Sequence, residues 1–427
     1  MQAVNRRILY IAAPAIVSNI TTPILGLVDV AVVGHFGSAA YIGAIAVGST
    51  MFNMLYWLFG FIRMGTAGIT SQAYGAADAH NVSVALRRAL LIAFIFGLAM
   101  IALSHSLGRI ILEYIDSDGV SSEEALEYFY ICIWGAPAVL GTYGLNGWLL
   151  GQQDTRIPMW VAIFTNIANI AISLSLVFGA DMKMQGVAFG TMSAQWLGFA
   201  AALIAGLVRY KPVRVGLRAV VNGPGLGRMF RINTDIFLRT VCLVAVTTWF
   251  THAGAACGVE ILAANALLLQ LFMFFSFLTD GFSFAGEALS GSFLGARDYN
   301  SLRVTVTYMR RWGLGIAILF TLVYVAGGNG ILRLLTDDAQ VVSTAARYLP
   351  WAVCIPLCSV FSFIYDGIFI GMTHTRRMLA AMFVAMLSFF AVYYATKTPM
   401  GNNGLWLAFL TYLTVRSLMM HLLLKLS

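Results

Sequence analysis

Long apolar stretches follow one another along the chain, with only short polar segments between them. A helix needs roughly 20 apolar residues to cross the hydrocarbon core of a bilayer, and the sequence holds about a dozen such stretches. Of the 427 residues, 60% are hydrophobic and only 10% are charged. With a mean hydropathy of +0.83, this composition is far from that of soluble proteins. We therefore expect an all-α integral membrane protein that crosses the bilayer many times.

The apolar stretches predict twelve transmembrane helices. Their approximate bounds are residues 8–33, 41–73, 86–107, 126–149, 157–179, 184–208, 230–253, 259–293, 311–327, 345–371, 377–395 and 403–424. Arg and Lys gather in the loops of one side, which marks it as cytoplasmic. The other side collects only Arg109, Lys183, Arg333, Arg347 and Lys397. Both termini are then expected in the cytoplasm, and the net charge of +8 requires no nucleic-acid partner.

A basic segment with alternating glycines separates the first six spans from the last six, and its composition is typical of a loop. We expect an N-terminal six-helix lobe over residues 1–208, a cytoplasmic linker over 209–229 and a C-terminal six-helix lobe over 230–427. The two halves also repeat each other at an offset of 220 residues. The matched pairs include Gly147 with Gly367, Gly151 with Gly371, Thr155 with Thr375, and Asp78 with Asp298. Because the offset contains an even number of spans, the sequence predicts two pseudo-twofold-related six-helix bundles in one orientation.

Asp29 lies late in the first span, between Pro23 and Gly34. A carboxylate in hydrocarbon is costly, so such a residue usually faces a cavity or a partner and marks the path of an ion or a substrate. At 1.5 Å per residue it lies roughly 8 Å below the outer end of its helix. We interpret Asp29 as a proton or cation site; the alternative is an acid at a helix end that headgroup water already solvates.

Two further spans carry polar side chains on one helical face. The fifth span holds Asn166, Asn169 and Ser173 at spacings of three and four, and the sixth holds Thr191 and Gln195 one turn apart. Residues of this kind either complete an ion site or only connect helices by hydrogen bonds, and their spacing alone does not decide between the two.

In the second half, charges gather toward the cytoplasmic side. They are Asp235, Arg239, Asp280, Glu287 and Asp366, with Arg63 and Arg416 in neighbouring stretches. Acids and bases at similar depth are expected to neutralise one another in an ion-pair network; a second cation site is the alternative. Asp366 is the member most open to question, since its repeat partner is the neutral Asn146.

Signatures of enzymes and of nucleotide-driven pumps are missing from the sequence. There is no Walker A loop, no His-Glu-x-x-His and no Gly-x-Ser-x-Gly. Cys354 and Cys358 are one turn apart, but no histidine or acid joins them to complete a metal set. We expect no enzymatic activity, no catalytic residues, no cofactor and no metal site, and a transport cycle driven by an ion gradient.

Short motifs spread over nearly the whole chain resemble those of one transporter family. They are Ala13–Thr21 (APAIVSNIT), Leu25–Asp29 (LGLVD), Arg63–Gly68 (RMGTAG), Gln72–Ala76 (QAYGA), Gly147–Gly151 (GWLLG), Gln185–Ala188 (QGVA), and Asp280–Phe282 (DGF) leading to Glu287. Together they are similar to multidrug and toxic compound extrusion (MATE) transporters, and within them to the DinF-type branch. The resemblance implies twelve helices in two lobes around a central cleft, and export of amphipathic, often cationic compounds in exchange for protons or sodium.

The resemblance also implies roles for single residues. In that branch the Asp that matches Asp29 accepts the proton, supported by the positions that match Asn169 and Thr191. Many relatives carry a second Asp where this chain has Ser173, so Asp29 would titrate alone. A sodium-coupled relative would use carboxylates of the second lobe, for which Asp366 is the nearest candidate.

We therefore expect a monomeric multidrug efflux antiporter of the bacterial inner membrane that works by alternating access. Its expected partners are small amphipathic or cationic substrates, protons or sodium ions, and the lipid bilayer. Proton coupling is assigned to Asp29, Asn169, Ser173 and Thr191, and a supporting polar face to Asn166 and Gln195. The alternatives are a flippase for lipids or lipid-linked precursors of the same superfamily, and an integral-membrane enzyme.

Overall fold

The computed structural model describes residues 2–34, 39–115, 122–180, 182–221, 223 and 225–425, without the side chains of residues 2–3, 22–34, 39–42, 114–115 and 122. These residues form sixteen α-helices. The helices are α1 Gln2–Gly34, α2 Ala39–Leu58, α3 Phe61–Gly75, α4 Ala79–Ala102, α5 Ser104–Ile115, α6 Ser122–Cys132, α7 Ala136–Gly151, α8 Arg156–Leu174, α9 Lys183–Tyr210, α10 Leu217–Val221, α11 Leu226–Ala256, α12 Val259–Gly295, α13 Tyr299–Leu335, α14 Ala339–Gly371, α15 Thr375–Met400 and α16 Asn402–Lys425. The prediction of an all-helical chain is confirmed.

The helices group into the expected number of membrane spans. Within the described residues, ten helical segments are long and apolar enough to cross a bilayer, and α2 and α3 together form one of them. Helix α1, and the run of α6, a short 3₁₀ turn and α7, supply two more. Helices α4 and α13 begin before their apolar stretches because Asp78 and Asp298 cap them, each accepting a hydrogen bond from a backbone N–H three residues on.

The chain divides into two compact units, each with its own internal contacts. The N-terminal unit contains residues Val17–Asn233, and the C-terminal unit contains Met1–Ile16 together with Thr234–Ser427. Helix α1 therefore contributes residues to both units. The lobe bounds given by the sequence stay a prediction.

The repeat recurs in the helix crossings inside each unit. In the N-terminal unit Gly151 of α7 lies against α3, where an added Cβ would come within 2.9 Å of the Ala67 carbonyl oxygen. In the C-terminal unit Gly371 of α14 lies against α12, where an added Cβ would come within 2.9 Å of the Gly291 nitrogen. The backbones approach each other this closely because these positions carry no side chain.

The segment between the sixth and seventh spans packs against α4. The Arg88 guanidinium donates to the carbonyl oxygens of Ala219, Val220 and Gly223 at 2.9, 3.0 and 3.1 Å, and Arg87 donates to the backbone of the same segment. These carbonyls lie at the C-terminal end of α10, where a cation satisfies the helix's free acceptors. We call the described residues 211–221 and 223 of this segment the strap; hydrogen bonds from α4 hold its backbone.

Candidate functional site

Asp29 lies in the last turns of α1, five residues before the helix ends at Gly34. Its side chain falls outside the described residues, so the site is described from the helices around it. Asn166 of α8 donates from Nδ2 to the carbonyl oxygen of Thr21 at 3.1 Å. Thr21 precedes Asp29 by about two helical turns. The bond thus connects α8 to the half of α1 that carries the acid.

Asn169 and Ser173, one and two turns further along α8, face α9. Asn169 is 1% exposed and donates from Nδ2 to Thr191 Oγ1 at 2.9 Å. Its Oδ1 atom, and the Oγ atom of the equally buried Ser173, have no hydrogen-bond partner among the described residues. A buried polar atom without a partner costs about 1–3 kcal/mol, so such atoms are rare unless they serve a ligand, an ion or water.

Gly190 of α9 makes the room that Ser173 occupies. A Cβ at that glycine would lie 2.9 Å from Ser173 Cα and would meet the Ser173 hydroxyl. Gln195, one turn after Thr191, faces Gly135 just before α7, and its Oε1 has no partner in the described part of the chain. The structure therefore brings Asn169, Ser173 and Thr191 together, while Asn166 contacts α1 and Gln195 faces Gly135.

Sequence reasoning missed several buried polar groups of the N-terminal unit. The side-chain oxygens of Tyr56, Thr66, Thr70, Asn146 and Asn233 are buried without a hydrogen-bond partner in the described residues. A signal was available for Asn146, an amide within an apolar stretch and the repeat partner of Asp366. The N-terminal unit thus holds more unsatisfied polar atoms than the predicted site alone supplies.

In the C-terminal unit, Asp366 of α14 lies between two arginines. Its Oδ2 atom accepts hydrogen bonds from Arg239 of α11 and Arg416 of α16 in two ion pairs. All three side chains are at least nine-tenths buried. One negative and two positive groups leave this trio with a formal charge of +1. We call Arg239, Asp366 and Arg416 the arginine–aspartate trio.

Two other predicted acids of this unit, Asp235 and Asp280, accept hydrogen bonds from hydroxyl groups. Asp235 accepts a hydrogen bond from Thr375 Oγ1 at 2.8 Å, and Ser276 donates to Asp280 at 3.4 Å. Glu287 is 1% exposed within α12. Arg239 and Asp366 are thus joined in ion pairs with Arg416 as the third member, and Asp280 interacts electrostatically with Arg416.

Comparison with known proteins identifies the family. The family model described as MatE matches residues 14–174 and 236–395. DNA damage-inducible protein F of Escherichia coli (strain K12) is 37% identical over 97% of this chain and 90% of its own length. Multidrug resistance protein MdtK of Edwardsiella ictaluri (strain 93-146) is 23% identical over 98% of this chain and 94% of its own length.

A solved structure, the outward-facing conformation of a multidrug resistance MATE family transporter of the MOP superfamily, has a TM-score of 0.88. It is 16% identical and covers 99% of this chain and 95% of that chain. The likeness confirms the predicted fold of twelve helices in two bundles. Members of this family are membrane transporters, which confirms that the chain is not an enzyme. The chain belongs to the MatE family of multidrug transporters and, as the relative with 37% identity indicates, to its DinF-type branch.

Proposed function

We propose that this transporter exports amphipathic or cationic small molecules in exchange for protons, as a monomer in the bacterial inner membrane with both termini in the cytoplasm. One observation carries the choice of the coupling ion. Asn169 Oδ1 and Ser173 Oγ, buried between α8 and α9, have no hydrogen-bond partner among the side chains and backbone that the structure describes, whereas the buried Asp366 is already paired with two guanidinium groups.

The polar group of the N-terminal unit supports a site that changes its occupancy. Asn169 donates its amide nitrogen to Thr191, and within the described part of the chain the Asn169 oxygen and the Ser173 hydroxyl have no partner. Both groups can bond to water or to a protonated acid, because a hydroxyl can donate and accept and an amide oxygen accepts. Asp29 is the acid we assign to this site, since α8 is bonded to its helix through Asn166.

Asp366 argues against sodium as the coupling ion. A sodium ion needs oxygen ligands that are not already neutralised, and the Asp366 carboxylate is held by two buried guanidinium groups. Sodium would have to displace at least one buried arginine, which would then be left unpaired. Asp366, the nearest candidate for a sodium ligand, is therefore not a free acid.

In the proposed cycle, a proton from outside neutralises Asp29 and changes the bonds that α1 makes with α8. Substrate binding weakens and the substrate leaves outward. Asp29 loses its proton only when the site opens inward. The exported substrate therefore cannot be carried back into the cell down its own concentration gradient. Both ligands thus act by stabilising different states of the same helices.

The test is transport by purified protein in proteoliposomes, with a pH gradient and a sodium gradient imposed separately. We expect Asp29→Asn to reduce pH-driven export of a labelled organic cation to the background of empty vesicles. The wild type is expected to respond to the pH gradient and not to the sodium gradient. Glu113→Gln, at an exposed acid of α5, is the matched control and should transport normally.

Three results would contradict the proposal. Export by Asp29→Asn at the wild-type rate would remove the acid from the cycle. Export driven by sodium at constant pH would replace the proton. Failure of the wild type to move any organic cation would favour the flippase alternative.

A further inference from the structure

A cavity of about 620 Å³ runs along the groove between α6 and α9 in the N-terminal unit. Its walls include Glu123, Glu127 and Tyr130 of α6, Trp134 of the 3₁₀ turn Ile133–Gly135 that follows α6, and Phe189 and Met192 of α9. None of Asn166, Asn169, Ser173, Thr191 and Gln195 is among the described residues of this lining. Thr191 bonds to α8, while its neighbour Met192 lines the cavity beside α6. The cavity is therefore distinct from the described polar groups of the proposed proton site.

The spacing of α6 gives the groove one charged end and one apolar end. Glu123, Glu127 and Tyr130 follow each other at intervals of four and three, so they share one face of α6. Seven residues separate Glu123 from Tyr130, which at 1.5 Å per residue is about 10 Å along the helix, and Trp134 lies just beyond the end of α6. The carboxylates lie at the start of α6 and the aromatic rings lie deeper along it.

Contacts on both helices hold the walls in place. Gln185 of α9 donates to Glu127 Oε1 at 2.5 Å, and the indole nitrogen of Trp196 donates to the Trp134 carbonyl oxygen at 3.1 Å. Tyr130 is hydrogen-bonded to His105 of α5 at 3.3 Å. The Trp134 side chain nevertheless remains 59% exposed. The groove is thus a fixed surface with an uncovered ring.

The chemistry of this surface selects one class of ligand. Its volume lies in the range of about 300–1,000 Å³ that is usual for drug-sized molecules. Aromatic rings attract cations as well as apolar groups, and methionine adapts to varied shapes. Two carboxylates with no basic residue beside them in the described lining favour a positive group at that end.

We propose that the α6–α9 groove binds amphipathic organic cations, with the positive group at Glu123 and Glu127 and the apolar body against Tyr130 and Trp134. The groove is a substrate site additional to the proton-coupled one, and the inference rests on the proposed function in that its ligand is the exported substrate. A molecule in this groove would be held beside α9, whose opposite side carries Thr191. A bound substrate would thereby lie next to the helix that responds to the proton.

The test uses a photoreactive aryl-azide quaternary ammonium compound and purified protein in detergent, without any ion gradient. After illumination, the labelled positions are mapped by peptide mass spectrometry. We expect label on residues 123–134 and 189–192, competed by tetraphenylphosphonium. Glu123→Gln with Glu127→Gln is expected to reduce this label about tenfold. Glu124→Gln, next in sequence but outside the lining, is the matched control and should keep it.

Each other outcome overturns the inference. Label that maps elsewhere, or is unchanged in the double variant, excludes the groove as a cation site. Label that phosphatidylethanolamine removes and tetraphenylphosphonium does not shows that a lipid occupies it. Thermal unfolding of the double variant at the wild-type temperature excludes a folding defect as the cause of lost label.

The labelling result and the transport result separate the two proposals. Asp29→Asn should lose pH-driven export and keep the label in the groove. Absence of label with normal pH-driven export would reject the groove and leave the antiport mechanism standing. Label in the groove without pH-driven export would reject the antiport mechanism and leave the groove standing as a cation site.

Discussion

At the scale of single residues, the buried Asp366 neutralises two arginines from different helices. Removing this carboxylate leaves two buried guanidinium groups facing each other, a change that costs about 3–5 kcal/mol when a buried ion pair loses one partner. We expect Asp366→Asn to lower the unfolding temperature of the protein in detergent. The measurement is the fluorescence of a dye that reacts with cysteines as they become exposed on unfolding.

Added sodium should not shift the unfolding temperature of the wild type by more than the same concentration of potassium does.

The control for the Asp366→Asn prediction removes all three charges together. Asp366→Met combined with Arg239→Met and Arg416→Met leaves no buried guanidinium without its carboxylate. Apolar side chains of similar size replace a buried ionic group with little loss, so we expect the triple variant to be more stable than Asp366→Asn. Equal stability of the single variant and the wild type would show that the pairing does not stabilise the unit.

At the scale of elements, the strap between the two sets of spans depends on Arg88. Three hydrogen bonds from the buried Arg88 guanidinium hold the carbonyl oxygens at and just after the end of α10. A hydrogen bond to a charged group contributes about 1.5–3 kcal/mol to stability. We expect Arg88→Ala to speed cleavage of residues 211–225 by proteinase K at least about tenfold.

The exposed Arg214 lies within the strap itself, so Arg214→Ala provides the matched loss of a positive charge. Its cleavage rate should equal that of the wild type. If Arg88→Ala is also cleaved at the wild-type rate, the strap is held by its apolar contacts, in which Val84, Val215 and Val220 pack together, and the guanidinium is dispensable.

At the scale of the whole molecule, the two units repeat one helix crossing. Gly151 and Gly371 each allow two backbones to meet with no space for a methyl group, and overpacking of this kind costs about 1–3 kcal/mol. We expect Gly151→Ala and Gly371→Ala to lower the unfolding temperature by similar amounts, measured by circular dichroism in detergent. Gly315→Ala is the control, because an added Cβ on α13 meets nothing within 4 Å there.

Similar losses in both units would show that the duplicated crossing still stabilises each bundle. A loss for only one variant would show that the other crossing has become dispensable since the duplication. A loss for Gly315→Ala would instead point to a general intolerance of α13, since alanine is the better helix former.

The sequence alone determined the number and type of the elements, because a bilayer imposes the length and the apolar character of each span. It also determined the repeat, since the glycines of the two crossings keep one offset. It placed the starts of α4 and α13 too late, because hydropathy marks the part of a helix inside the membrane, whereas the caps Asp78 and Asp298 mark where the helix begins.

Only the tertiary structure decided which polar residues meet. Arg239 and Arg416 reach Asp366 from 127 and 50 residues away in the chain, and Arg88 reaches the strap across more than 130 residues at its furthest bond. Apolar periodicity does not select these partners, because lipid is as apolar as a helix face and the rotation of each span is set by close packing and hydrogen bonds between helices. Those contacts exist only once the helices have assembled. The sequence therefore indicated the spans and a set of mutually neutralising charges that includes Arg239, Asp366 and Arg416. It did not indicate which of those charges pair, how the strap is held or where the α6–α9 groove lies.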